Sequence, residues 1–193
     1  MSLRALRTPL TMAILSLLRE EPRHPYALQA QLRYRHVGEV VKLRGGSVYD
    51  AVRRLQSAGI VTEQETNRAG ARPERTVYAI TPEGEELLDS LLRDYVAMPA
   101  REYPVFPAGL AHIANLPKDE AVELLRERAG HVQDEYDHVA ELTQPLLEGG
   151  MARLVLLETE YVQRLRQAEL AWLREVAESI TDGTLPWIEK VKQ

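Results

Sequence analysis

The sequence predicts a mainly α-helical chain with one small β-hairpin: an N-terminal winged helix-turn-helix followed by a C-terminal helical dimerisation domain. Three observations predict it. Three short amphipathic helices precede a β-branched, turn, β-branched stretch within residues 1–81. Residues 118–193 carry two long apolar periodicities of helical spacing, broken only at Gly149-Gly150. Charge divides along the same line: residues 1–81 hold 13 Lys/Arg against 7 Asp/Glu, a net of +6, and residues 82–193 hold 11 against 22, a net of −11.

The first helix reads from TPLTMAILSLLREE. Leu10, Ile14, Leu17 and Leu18 share a face, Thr8 supplies an N-cap, and Pro9 suits the first turn. Pro22 and Pro25 then punctuate the chain. PYALQAQLRYR forms the second helix, with Leu28 and Leu32 inward. VGEVVKLRGG is a turn signal. The third helix begins at Ser47, as its cap, and ends at Gly59. Its apolar stripe is Val48, Val52 and Leu55, and its opposite face is Tyr49, Asp50, Arg53, Arg54 and Gln56. IVTEQET and RTVYAI are strands around the polar tip NRAGARPE. Thr81-Pro82-Glu83-Gly84 opens a fourth helix that buries Leu87, Leu88, Leu91, Leu92 and Tyr95.

These elements divide the chain into a DNA-binding domain over 1–97, a proline-marked linker over 98–117 with room for a short helix between Val105 and Leu116, and a helical dimerisation and effector domain over 118–193. Within this C-terminal domain the earlier stripe is Leu125, Ala129, Val132, Tyr136 and Val139. The later stripe is Leu154, Leu157, Tyr161, Leu165, Ala168, Trp172, Val176 and Ile180. Such stripes are buried only when the helices fold on one another or on a partner chain.

Composition narrows the function classes. With 193 residues, 45% hydrophobic and 27% charged, the chain is long enough to bury a core unaided. There are no cysteines, which excludes disulfides and thiolate metal sites. No apolar run approaches the ~20 residues that span a bilayer, and MSLRALRTPL lacks the apolar stretch of a signal peptide. A soluble, cytoplasmic protein without membrane association is expected. No phosphate-binding glycine loop and no nucleophile–base or paired-carboxylate constellation is present, so an enzyme is not expected, nor a cofactor.

A helix that is apolar on one side and cationic on the other, followed by a hairpin with a basic tip, is suited to double-stranded DNA: the helix to the major groove, the tip to phosphates or the minor groove. The expected contacts are Ser47, Tyr49, Arg53 and Arg54 on the third helix and Arg68, Arg72 and Arg75 at the tip, with Tyr26 and Lys42 on the flanks. Asp50 is an acid on the reading face. It either accepts from cytosine N4 or pairs with Arg53 or Arg54.

TPLTMAILSLL, HPYAL, RGGSVYDAVRRLQSAGIV and RPERTVYAITPEGEELL together resemble the PadR family of transcriptional regulators, in the branch with a long C-terminal helical domain. Where such proteins typically show His-Gly-Tyr-Glu-Leu and Gly-Ser/Thr-Leu-Tyr-Pro, this chain has His24-Pro25-Tyr26-Ala27-Leu28 and Gly46-Ser47-Val48-Tyr49-Asp50. FPAGLAHIANLPKDEAVELLRER and AELAWLREVAESITDGTLPW resemble the start and close of the helical domain. The resemblance implies a homodimer that holds a palindromic operator and usually represses, releasing DNA when a small-molecule effector binds. The alternative is a helical protein-interaction or small-molecule-binding module whose winged helix no longer binds DNA.

For an effector, Tyr161 and Trp172 offer aromatic faces and Glu158 and Glu169 flanking carboxylates, suited to a flat aromatic or cationic ligand. Against this, aromatics at helical spacing are most often core. His131, Asp134 and His138 share one helical face, a spacing that surface helices produce readily, and no metal is assigned to them.

Overall fold

The computed structural model describes residues 3–35, 46–64 and 76–188. They form two compact units, Met1–Arg101 and Glu102–Gln193.

In the first unit a 3-10 turn, Leu3–Leu6, leads into α1 (Pro9–Glu20), α2 (Pro25–Tyr34) and α3 (Ser47–Ser57). Thr8 caps α1, its hydroxyl accepting from the Thr11 amide at 3.1 Å, with Pro9 in the first turn. Proline there loses no helical hydrogen bond, because the first amides of a helix have no carbonyl to reach. α2 starts the same way at Pro25, but its cap is His24, whose Nδ1 accepts from the Tyr26 amide at 3.0 Å.

α3 departs from the expected start. Gly46, in the left-handed region at φ 78°, is the capping residue, and Ser47 is already the first helical residue. Glycine occupies that backbone conformation without a Cβ clash, so no side-chain cap is needed to turn the chain into the helix. The other end agrees with expectation. Gly59 is left-handed at φ 75°, and the Ile60 amide returns to the Leu55 carbonyl at 2.9 Å.

β1 (Val61–Gln64) and β2 (Val77–Ile80) pair antiparallel, Val61 opposite Ile80 and Gln64 opposite Val77. Tyr78 also exchanges both backbone hydrogen bonds with Arg23 at 2.9 and 3.0 Å, so the residues before α2 add a one-residue third edge to the hairpin. Thr81 caps α4 (Pro82–Ala97) by accepting from the Gly84 amide, and its hydroxyl lies 2.8 and 2.9 Å from the carbonyls of Gly59 and Ile60. One threonine thus joins the end of α3 to the start of α4.

The core of this unit is Ile14, Leu15, Leu18, Leu28, Leu32, Val48, Val52, Leu55, Leu88 and Leu91, with Tyr78 covering one side. α4 lies on α1. Arg19 reaches Glu85 at 2.5 Å and Asp89 at 2.7 Å, and Arg7 pairs with Asp94. Leu92 and Tyr95, expected inside, are exposed. The described core includes Leu87, Leu88 and Leu91 of α4, whereas Leu92 and Tyr95 turn to its exposed flank.

The second unit begins with α5 (Val105–Leu110) and a 3-10 turn at Ile113–Asn115, within the segment where a short helix is expected. α6 (Lys118–Glu148) and α7 (Leu157–Asp182) form an antiparallel hairpin. A turn at Gly150, φ 88°, and a 3-10 turn at Arg153–Leu156 join them. Its core is small: Val122 and Leu125 against Leu173, Ala177 and Ile180, with Phe106, Leu110 and Ile113 packed on it. Toward the Gly150 end the helices meet through polar groups instead. Gln163 donates to the Tyr136 carbonyl at 2.8 Å, Gln167 to the Tyr136 hydroxyl at 2.6 Å, and Arg166 reaches Glu135 at 3.1 Å.

The expected stripe of α7 is therefore not the face that packs on α6. Ile180 is buried and Val176 half-buried, but Leu154, Leu157, Tyr161, Leu165, Ala168 and Trp172 are exposed. The helix is apolar on two flanks, and the flank carrying Leu170, Leu173 and Ala177 is the one its own hairpin covers.

Candidate functional site

The candidate reading face is built on α3. Val48, Ala51, Val52 and Leu55 are buried, which turns Tyr49, Asp50, Arg53 and Arg54 to solvent. Ser47 is half-buried in the first turn. Tyr26 projects from the first turn of α2, also exposed. Lys42, Arg68, Arg72 and Arg75 lie outside the described residues, as does the hairpin tip.

Three interactions organise this face. Arg53 Nη2 meets Asp50 Oδ1 at 2.5 Å, one turn apart, and Arg54 Nε donates to the Asp50 carbonyl at 3.2 Å. The His24 ring meets Tyr49 edge-on, with centroids 6.3 Å apart. Finally, Gln56 donates to Glu63 at 2.8 Å, while the Tyr78 hydroxyl lies 3.5 Å from the same carboxylate, tying α3 to both strands. Burial pushes the Tyr78 hydroxyl above its ordinary pKa, and the Glu63 charge adds to the effect. Tyr78 is therefore a neutral donor at physiological pH. Periodicity does not disclose His24 or Glu63 as parts of the site. The signals for His24 are its place directly before a proline that opens a helix and its match to the first residue of the His-Gly-Tyr-Glu-Leu run.

In the second unit the four expected effector residues are not brought together. Tyr161 and Glu158 lie near the start of α7, about 16 Å along the axis from Glu169 and Trp172 at 1.5 Å per residue. Glu169 and Trp172 do belong to one cluster. Arg128 pairs with Glu169 at 2.6 Å and lies 3.7 Å over the Phe106 ring, whose edge meets Trp172 at 6.1 Å between centroids. Beside it an open groove of about 410 Å³ is lined by Leu124, Glu127, Arg128, His131, Val132, Glu135, Arg166 and Glu169. Both of its arginines are internally paired, Arg128 with Glu169 and Arg166 with Glu135, and His131 Nε2 lies 3.7 Å from Glu127. His131, Asp134 and His138 are exposed, and among the described residues no group of three metal-ligating side chains converges. Also among them, no helix is long and apolar enough to cross a membrane.

A helix pair, an amphipathic third helix and a two-stranded hairpin leading into a long helix make the first unit a winged helix-turn-helix. Residues 14–90 match the PadR-like family of transcriptional regulators, so the chain carries a PadR-like domain. The fold similarity runs further. PadR of Bacillus subtilis, crystallised with operator DNA, is similar at TM-score 0.70 and 20% identity over 88% of this chain and 97% of that one. The same protein with p-coumaric acid is similar at TM-score 0.70 and 16% identity, over 89% and 98%. The Vibrio cholerae virulence activator AphA is similar at TM-score 0.64 and 21% identity, over 90% and 98%. No curated protein sequence matches the chain. Most of the chain thus shares the fold of these PadR-type structures, C-terminal helices included.

Proposed function

We propose that the chain is a DNA-binding transcriptional repressor that holds a palindromic operator as a homodimer and releases it when a small-molecule effector binds. The observation that carries the DNA reading is α3, which is locked into the core on one side while Tyr49, Arg53 and Arg54 stand clear of it on the other. Base edges in the major groove are read by such side chains. Ser47 and Tyr26 supply flanking contacts, and the cationic side chains of Lys42, Arg68, Arg72 and Arg75 are further candidates by their charge. The net charge of +6 over residues 1–81 supports it. So does the operator DNA bound to the Bacillus neighbour.

The dimer is supported by the uncovered apolar flank of α7, and two-fold symmetry matches a palindrome. The effector reading draws on the p-coumaric acid bound to the Bacillus neighbour. Trp172 and Glu169 anchor the candidate site, with Tyr161 and Glu158 on the same helix.

The test is binding of the purified protein to the DNA upstream of its own gene across a salt series. Affinity is expected to fall steeply with salt, and each lost phosphate contact, as in Arg72→Ala, to reduce the slope by roughly one. Absent or salt-independent binding overturns the reading. Titrating p-coumaric acid into the complex, with tryptophan fluorescence as readout, tests the effector arm, and a promoter–reporter fusion tests repression.

A further inference from the structure

Asp50 is the residue on the reading face that the binding of a polyanion does not explain. It lies in the first turn of α3, on the exposed flank it shares with Tyr49, Arg53 and Arg54. A lone carboxylate there would repel phosphate. Asp50 is held instead: Oδ1 meets Arg53 Nη2 at 2.5 Å, and its carbonyl accepts from Arg54. Both members of the Asp50–Arg53 pair remain open, with side chains 61% and 74% exposed. A pair so exposed adds little to stability, and an acid in the first turn of a helix gains only a small dipole benefit, so folding gives no strong reason for the acid either.

The chemistry left over gives one. A guanidinium has five N–H donors, and one contact to Asp50 leaves the edge needed to reach O6 and N7 of a guanine. The second oxygen of Asp50 has no partner among the described residues. A carboxylate oxygen is the acceptor that matches the N4 amino group of cytosine; adenine also presents an amino donor, N6, but beside the N7 acceptor, which a carboxylate cannot satisfy. Residues near the start of a recognition helix are those that reach base edges.

We propose that Asp50 and Arg53 act as one base-reading unit. Arg53 takes a guanine through O6 and N7. Asp50 orients the guanidinium and accepts from N4 of a cytosine in the neighbouring base pair. The inference rests on the DNA-binding reading above and makes Asp50 a specificity determinant of the operator.

The experiment uses the full chain. The unsubstituted protein, Asp50→Ala and Arg53→Ala each select duplexes from a random library, and affinities are then measured for the selected site, its single-base variants and an unrelated duplex. Asp50→Ala is expected to lose about tenfold discrimination at one C·G position, keep its preference at distant positions, and bind the unrelated duplex more tightly because an anion has left the interface. Arg53→Ala is expected to lose guanine preference at the adjacent position and weaken binding to every duplex. If Asp50→Ala tightens binding equally on all sequences, Asp50 merely cancels the Arg53 charge, and the base-reading unit is wrong while DNA binding stands. If the unsubstituted protein selects no duplex, the DNA-binding reading fails and the inference with it. Unchanged melting of both variants is expected, since both side chains are exposed.

Discussion

The imidazole of His24 stands T-shaped to the Tyr49 ring, with centroids 6.3 Å apart, and its Nδ1 accepts from the Tyr26 amide, so one side chain caps α2 and braces the exposed face of α3. The two roles separate by substitution. His24→Ala removes both and is expected to destabilise the first unit by about 1 kcal/mol, the usual worth of a capping acceptor. His24→Asn restores a good cap without the ring. It is expected to recover the melting temperature yet bind DNA more weakly than the unsubstituted protein, because Tyr49 has lost its brace. Thermal melts and DNA titrations on the two variants check this. Equal DNA affinity for His24→Asn and the unsubstituted protein would remove the bracing role.

Gly84 has no room for a side chain. A Cβ at that position would stand 2.3 Å from the Ile60 carbonyl oxygen and 2.7 Å from Cγ1 of Ile80, both contributed by the hairpin region on which α4 begins. Backbone cannot yield as the end of a flexible side chain can. Gly84→Ala therefore should cost about 1–3 kcal/mol despite alanine's better helix propensity. A drop in melting temperature of about 5 °C or more is expected. An unchanged or raised value would show that α4 can slide off the hairpin without penalty.

Acid should weaken the first unit through two arginine-held carboxylates. The hydrogen bond from Arg19 holds Asp89 below its ordinary pKa, and that from Arg35 does the same for Glu20. A carboxylate whose folded-state pKa is depressed contributes stability above its unfolded pKa and loses it as pH falls through the folded one. The gap in urea midpoint between the unsubstituted protein and Arg19→Met is thus expected to be small but measurable at pH 7, as for any exposed pair. It should close below the ordinary carboxylate range, near pH 4 and under. A gap that persists unchanged at low pH would mean that Arg19 acts by packing alone.

How much of this is legible in the sequence depends on whether the signal is local. Thr8-Pro9, Thr81-Pro82 and Gly59 act within one turn, and the elements they bound agree with expectation. Ser47 is not the cap that its residue type suggests, because Gly46, immediately before it, turns the chain by its own conformation. Leu92 and Tyr95 depart from expectation for a different reason, which also leaves open whether the Tyr161–Trp172 flank of α7 is covered by its own hairpin or by a partner chain. Helical periodicity says which residues share a face but not which of two apolar faces its own chain covers. Of the candidate site, the α3 contacts follow from periodicity, whereas the Asp50–Arg53 choice over Asp50–Arg54 depends on rotamers. The bond from Gln56 to Glu63 joins elements that sequence spacing does not relate.

That uncovered flank carries the last prediction. Leu154, Val155, Leu157, Tyr161 and Leu165 are all exposed on α7 and the turn before it, as are Leu142, Leu146 and Leu147 on α6. So many exposed large apolar side chains near one end of a helical hairpin point to an interaction site. The facing end of the hairpin is joined by polar contacts rather than a core, so it gains most from a partner. A second copy supplies the same surface in self-complementary form. Leu165→Glu places a charge in the middle of that flank without touching the core of Leu125, Leu173 and Ile180. Sedimentation velocity at micromolar concentration is expected to show a dimer for the unsubstituted protein and a monomer for Leu165→Glu. Thermal stability should fall as well, because folding and association are linked. A variant that stays dimeric would move the interface to another face, and an unsubstituted protein that sediments as a monomer would remove the dimer altogether.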